Sequence, residues 1–97
     1  MNYETIFIVR GDLPEEQVDA LGQEVKGILS EKQTVVLGEQ KWGKKQLAYT
    51  IRKNTEGFYY YINFSSSESS IPEKLSTFYR HNDSVLKFLT VKLDKKK

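Results

Sequence analysis

Apolar residues along this chain recur with two different periods, and the switches between them mark out its segments. Residues 3–9 read Tyr-Glu-Thr-Ile-Phe-Ile-Val and end against Gly11. They are β-branched and aromatic, which predicts a strand. Tyr3, Thr5, Phe7 and Val9 share one face and Ile6 and Ile8 the other, so both faces are largely apolar. From Asp12 the period lengthens. Asp12 can cap a helix, Pro14 suits its first turn, and Glu15 and Glu16 complement the positive end of its dipole. Val18, Leu21, Val25, Ile28 and Leu29 then form one stripe at helical spacing, predicting a helix to about Lys32. Gly22 and Gly27 fall off that stripe and weaken the helix slightly. Val35-Val36-Leu37 starts a second strand. Gly38 to Lys41 interrupts it and Trp42 to Arg52 resumes it, with Gly43 marking a bulge or bend. Asn54-Thr55-Glu56-Gly57 reads as a hairpin turn with Gly57 free to take positive φ. Phe58 to Phe64 is the third strand, and Ser65 to Ser70 is a polar loop. Ser70-Ile71-Pro72-Glu73 has the form of a capping box, opening a shorter helix with an inner stripe of Ile71, Leu75, Phe78 and Tyr79. Asn82-Asp83-Ser84 breaks it. Val85 to Leu93 is the fourth strand, apolar on both faces except at Lys87 and Lys92.

The predicted order is β-α-β-β-α-β. Each helix needs one apolar face covered, and a four-stranded antiparallel sheet with both helices on one side supplies that cover. This is the α+β ferredoxin-like, or split βαβ, arrangement. Right-handed crossovers place the first and third strands in the middle. Residues 1–93 form one domain on this reading, and 94–97 a short charged tail. Parity then sorts the two faces. Phe58, Tyr60, Ile62 and Phe64 are more apolar than Tyr59, Tyr61 and Asn63, so they go under the helices, as does Phe7. Leu47, Tyr49 and Ile51 share one face and are expected to hold the second strand under the helices. The open face then carries Ile6, Ile8, Tyr59 and Tyr61, flanked by Leu89 and Val91 of the fourth strand. A contiguous patch of this kind exceeds what a monomer usually exposes.

Composition narrows the field. The chain has 97 residues, 38% hydrophobic and 12% aromatic, enough for one small domain with a real core. No apolar run approaches the roughly 20 residues of a membrane span. The N-terminus lacks the pattern of a signal peptide, which makes the cytoplasm the expected location. Without cysteine there is no disulfide or thiolate chemistry. The net charge of +2 conceals an asymmetry. Residues 1–41 carry four cations against eight carboxylates, and residues 42–97 carry eleven against five. Such a division points to a basic face and a polyanionic partner.

Catalytic chemistry finds little footing. His81, the only histidine, stands at a helix end, where it serves as a cation rather than a catalyst. The carboxylates are scattered and form no inward pair. Gly43-Lys44-Lys45 lacks the glycine spacing of a phosphate loop, and no metal-ligand spacing appears. No enzyme activity, cofactor, metal or small-molecule substrate is expected. Two other users of the same architecture fit the chain less well. An acylphosphatase-like enzyme would employ Arg10, but the acids that follow it sit where an anion would bind. An RNA-recognition motif would employ Phe7, Phe58 and Tyr60 as outward stacking rings, against the parity that puts them inside.

The segment Trp42-Gly43-Lys44-Lys45-Gln46-Leu47-Ala48-Tyr49-Thr50-Ile51-Arg52-Lys53 resembles the signature of the bacterial small-subunit ribosomal protein six family: a glycine, basic residues, then Leu-Ala-Tyr-x-Ile and a cation. Tyr3-Glu4-Thr5, Gly57-Phe58-Tyr59 and Asn82-Asp83-Ser84-Val85-Leu86-Lys87 resemble its further motifs, in the right order. The resemblance implies a structural, non-enzymatic protein of the split βαβ fold. It implies binding to the central domain of small-subunit ribosomal RNA, cooperatively with ribosomal protein eighteen. Carried over by position, the RNA-binding candidates are Lys44, Lys45, Arg52, Lys53, Arg80, Lys87 and Lys92. The candidates for the protein contact are Ile6, Ile8, Tyr59, Tyr61, Leu89 and Val91. Lys87 stands where the family usually has arginine, keeping the charge without the bidentate fork.

Overall fold

The computed structural model describes residues 2–30, 34–67 and 70–93. Strands β1 (Asn2–Arg10), β2 (Thr34–Ile51), β3 (Asn54–Ser66) and β4 (Val85–Leu93) form one sheet in the order β2-β3-β1-β4. Helices α1 (Glu15–Leu29) and α2 (Ile71–Arg80) complete the β-α-β-β-α-β order. The strand pairs are all antiparallel, with β1 and β3 central. The architecture is thus the predicted ferredoxin-like one. The predicted helix end at Lys32 and the charged tail 94–97 lie outside the described residues.

The face under the helices follows from alternation. Tyr3, Phe7 and Val9 of β1 and Phe58, Tyr60, Ile62 and Phe64 of β3 join Val18, Leu21, Val25 and Leu29 of α1 and Ile71, Leu75 and Tyr79 of α2 in one core. The register sets Phe7 opposite Tyr60 and Tyr3 opposite Phe64. Both pairs stack, with centroids 5.1 and 5.3 Å apart. Phe78 and Phe88 pack at the margin. The buried Thr5 hydroxyl is satisfied: its Oγ1 lies 2.8 Å from the Tyr79 hydroxyl and 2.9 Å from Thr90 Oγ1.

Several local expectations are corrected. Asp12 does not cap α1. Its carboxylate is taken by Arg10, which donates at 3.2 and 2.8 Å, and Pro14 occupies the N-cap without a side-chain bond. Ser70 likewise makes no side-chain cap bond, so the capping box is not formed. The hairpin turn is not Asn54 to Gly57. Ile51 pairs with Asn54, and Arg52 and Lys53 make the two-residue turn with φ of 50° and 68°. Positive φ at both central positions matches the right-handed twist of the flanking strands, which is why the turn forms there although neither residue is glycine. Gly57 is instead a strand residue in close contact, and a Cβ there would lie 2.6 Å from Ile8 Cγ2. Gly22 is not a bystander either. It is buried, and a Cβ on it would stand 2.6 Å from the Tyr60 ring.

Strand β2 is continuous rather than interrupted, and absorbs its extra residues as irregularities at Val36/Gly38 and Lys41/Gly43. The second is the bulge expected at Gly43, which takes φ 83°. It has a consequence for everything downstream. Lys41 faces Tyr60 and Lys44 faces Phe58, so Trp42 and Gly43 together oppose Tyr59. One added residue exchanges the faces of the strand. Leu47 and Ile51 therefore pack with Ile8, Leu86 and Tyr59 on the helix-free face, and Tyr49 is 60% exposed there. None of the three holds β2 under the helices as expected.

Two glycines in α1 make a paired test. Gly27 has open space around it, so Gly27→Ala should stabilise by about 1 kcal/mol through helix propensity. Gly22→Ala should destabilise by roughly 1–3 kcal/mol because the Tyr60 ring must move. Chemical denaturation of both variants reads the difference. Burial, then the hydrogen bond to Glu39, pushes the Tyr60 hydroxyl up to about 12 from an ordinary 10.0. Burial also raises that of Tyr79. A raised tyrosine favours the neutral native form, so this stability is fully present below pH 10 and lost as pH rises toward 12. Stability should fall across that window, and less steeply in Tyr60→Phe.

Candidate functional site

The helix-free face is built by the residues left over when β1 and β3 turn their larger rings inward. Ile6 pairs with Tyr61 and Ile8 with Tyr59 across the two central strands. On the other side Ile6 pairs with Leu89, and Glu4 with Val91. All six residues expected on this face are on it. Ile6, Tyr59, Tyr61 and Val91 are half-buried and Leu89 is 58% exposed. Ile8 is already covered, by Leu47 and Leu86. Ile6, Ile8, Phe88 and Leu89 line a shallow apolar groove with Lys87 at its edge.

Sequence reasoning missed Trp42 as part of this face. The Gly43 bulge turns its indole onto Tyr61, where the rings lie 4° from parallel at 5.9 Å, and toward Tyr59 at 6.4 Å. Its Nε1 donates to Gln40 Oε1. The signal was present in the dipeptide Trp42-Gly43, because a bulge re-aims the side chain beside it.

The cations divide by location and by partner. Lys26, Lys41 and Arg10 are engaged within the fold. Lys26 pairs with Glu39, Lys41 with Glu15 and Asp19, and Arg10 with Asp12, all at 2.7–2.8 Å. Lys44, Lys45, Arg52, Lys53, Arg80 and Lys92 make no ion pair among the described residues. Lys44 lies over the Phe58 ring, 5.5 Å from its centroid. Lys44 and Lys53 line one polar cleft with Gly11, Asp12, Asn54, Thr55 and Glu56. Lys45 opposes Gly57, and the Arg52-Lys53 turn closes the hairpin beside it. Lys87 opposes Ile8, and its ammonium donates to the Tyr49 hydroxyl at 2.7 Å. That bond keeps it charged to higher pH than an ordinary lysine. Arg80 ends α2 on the same side of the molecule, where the following loop meets β1 through the bond from Arg10 N to Ser84 O. Six of the seven candidates therefore gather at one end of the sheet. Lys92 does not: it opposes Tyr3, at the far end of β4.

The catalytic alternatives lose their geometry. Arg10 is held by Asp12 in a two-point bridge, not open to an acyl phosphate. Phe7, Phe58 and Tyr60 are buried beneath the helices and cannot stack on bases. His81 is the C-cap of α2, with Nδ1 2.9 Å from the Thr77 carbonyl. Among the described residues no group of acidic and histidine side chains could hold a metal, and no helix is long and apolar enough to cross a membrane.

Comparison with known proteins decides the lineage. Residues 2–92 match the family model described as Ribosomal protein S6. The chain belongs to the ribosomal protein S6 family. Among its relatives, the small ribosomal subunit protein bS6 of Phocaeicola vulgatus is 40% identical over 93 residues, which are 96% of this chain and 81% of that protein. The bS6 of Clostridium novyi is 37% identical over 97% of this chain and 98% of its own length. The crystal structure of 30S ribosomal protein S6 from Thermotoga maritima superposes with a TM-score of 0.86 at 30% identity, covering 93% of this chain and 84% of that one. A member of this family is a structural constituent of the small ribosomal subunit, not an enzyme. It acts in translation on the cytoplasmic ribosome, with ribosomal RNA as a partner.

Truncation separates the two faces. Phe58→Ala and Tyr60→Ala should each cost roughly 3–5 kcal/mol, measured by denaturant titration. Leu89→Ala should stay within about 0.5 kcal/mol. A fully stable Phe58→Ala variant that had lost RNA binding would instead mark Phe58 as a stacking residue.

Proposed function

We propose that this protein binds the central domain of small-subunit ribosomal RNA through the cations at one end of its sheet. At the same time it binds ribosomal protein eighteen through its helix-free face. The observation that carries this reading is adjacency. The apolar rows Ile6–Tyr61 and Ile8–Tyr59, flanked by Leu89, run toward the end where Lys44, Lys45, Arg52 and Lys53 have no carboxylate partner among the described residues. A protein seated on the rows would lie beside RNA held by those cations. Ile6, Ile8, Tyr59, Tyr61, Leu89 and Val91 supply the apolar contact, and Lys44, Lys45, Arg52, Lys53, Arg80 and Lys87 the phosphate contacts. Lys92 is an outlying member of the RNA set.

The charge supports cooperation. A net +2 and a handful of free cations release few counterions, so RNA affinity of the lone protein is modest and salt-sensitive. A second protein bound to both this chain and the RNA makes the second contact effectively intramolecular and raises the total affinity by orders of magnitude without new contacts on either one.

Titration of a ribosomal RNA transcript with and without ribosomal protein eighteen tests the whole reading. Binding should be weak alone and much tighter with the partner, and equal affinity in both cases would sink it. Single alanine variants at Lys45, Arg52 and Lys53 should each weaken RNA binding and reduce the salt slope by about one, with a smaller effect from Lys92→Ala. Leu89→Glu should leave RNA binding by the lone protein intact and remove the gain from the partner.

A further inference from the structure

Strand β2 leaves its neighbour after Gln46, which opposes Glu56, and rejoins it at Ile51, which opposes Asn54. Residues 47–50 thus span on β2 what Thr55 alone spans on β3. The surplus bows over the helix-free face. Leu47 drops into the cluster of Ile8 and Leu86. Gly57 makes the seat, since a Cβ there would meet Ile8 Cγ2 at 2.6 Å and Leu47 Cδ2 at 3.5 Å. Tyr49, although 60% exposed, reaches across to β4. Lys87 Nζ donates to its hydroxyl at 2.7 Å from beyond the oxygen end of the ring, a hydrogen bond from β4 to the middle of the bowed segment.

The segment so fastened runs straight into Arg52 and Lys53. Both residues hold positive φ, a conformation that side chains with a Cβ adopt at a cost and that persists where the surroundings enforce it. An asparagine and a glycine would meet that backbone demand more easily. Two cations stand there instead, on a turn whose approach is fixed by Leu47 in its seat and Tyr49 on Lys87.

We propose that Tyr49 is a positioning residue: bound to Lys87 of β4, it fastens residues 47–51 across the sheet and so holds the Arg52-Lys53 turn where it meets ribosomal RNA. The inference rests on the RNA reading above. It changes the role of Lys87, whose ammonium is directed at Tyr49 and acts through that residue.

The test is a double-mutant cycle on the full chain with a small-subunit ribosomal RNA transcript. The variants are Tyr49→Ala, Tyr49→Phe, the pair Arg52→Ala/Lys53→Ala, and the pair combined with Tyr49→Ala. Tyr49→Ala removes no charge, yet it should weaken binding about fivefold and make the dependence of log affinity on log salt shallower, because displaced cations release fewer counterions. Tyr49→Phe keeps the ring but removes the hydroxyl that Lys87 binds, and should weaken binding nearly as much as Tyr49→Ala; a Tyr49→Phe variant that binds RNA as the unaltered protein does would overturn the inference. In the Arg52→Ala/Lys53→Ala background Tyr49→Ala should add nothing. A loss that adds in full, or an unchanged salt slope, would overturn the inference by making Tyr49 a direct RNA contact. If the turn variant binds less well but Tyr49→Ala binds normally, the inference falls and the RNA reading stands. If the turn variant binds as the unaltered protein does, both fall.

Discussion

A four-stranded sheet has two faces, and two helices cover only one of them. The rest of this structure depends on that constraint. The central strands β1 and β3 are apolar on both sides, so whichever set of residues turns inward leaves a second apolar set outside. The register makes the choice cooperative. Phe7 on Tyr60 and Tyr3 on Phe64 build stacked pairs beneath the helices, and slipping β1 by a residue would replace Tyr3 with Asn2 or Glu4 and Phe7 with Ile6 or Ile8, each smaller or more polar. With the aromatic rows fixed inside, Ile6, Ile8, Tyr59 and Tyr61 have no alternative to the outer face. The open apolar surface is a consequence of the best core.

The bulge at Gly43 then decides how much of that outer face stays open. Added between Lys41 and Lys44, it reverses the alternation of β2 for the remainder of the strand. Trp42 is turned onto Tyr59 and Tyr61, and Leu47 onto Ile8. Part of the apolar surface is thereby covered from within the chain, at the hairpin end, while the part around Ile6 and Leu89 stays uncovered. The chain supplies its own cover next to the cations and leaves the remainder open. Gly57 and Gly22 enable close approach on opposite faces of the same strand pair, one beneath Leu47 and the other opposite Tyr60 across α1.

The sequence made the architecture legible because its strongest signals are periodic. The stripe Val18, Leu21, Val25, Leu29, the alternation Phe58 to Phe64 and the block Val85 to Leu93 each point to one element, and parity in β1 and β3 places Ile6, Ile8, Tyr59 and Tyr61 on the open face, where the structure has them. What stayed illegible was counting across irregularities. A glycine within a strand announces a bulge, but not which side chains it re-aims until the partner strand is known. Leu47, Tyr49 and Ile51 were consequently assigned to the wrong face. The hairpin turn was read at Asn54 to Gly57 because glycine and asparagine are the usual carriers of positive φ, whereas strand pairing imposed that conformation on Arg52 and Lys53. The caps at Asp12 and Ser70 failed for a related reason. Local side-chain preference yielded to tertiary competition, most plainly where Arg10 claims the Asp12 carboxylate.

The charge asymmetry acquires a structural meaning in the same way. The acidic first half is not simply a negative surface repelling RNA. Its carboxylates Asp12, Glu15, Asp19 and Glu39 neutralise Arg10, Lys41 and Lys26 across α1 and the edge of β2. Each such exposed pair contributes little to stability, so their larger effect is on where free charge remains. Arg10, Lys26 and Lys41, the described cations of the first half, are consumed at home, whereas Lys44, Lys45, Arg52 and Lys53 come from the hairpin, where the nearby carboxylates are Glu56 and an Asp12 already engaged by Arg10. A protein with a net charge of only +2 can in this way present a locally basic end. The far side of α1 stays neutral or acidic, which orients the molecule on a polyanion instead of letting it bind in any pose. For the proposed joint contact with RNA and protein, orientation matters more than affinity, because a wrongly turned molecule would bury its cations while leaving its apolar face in water.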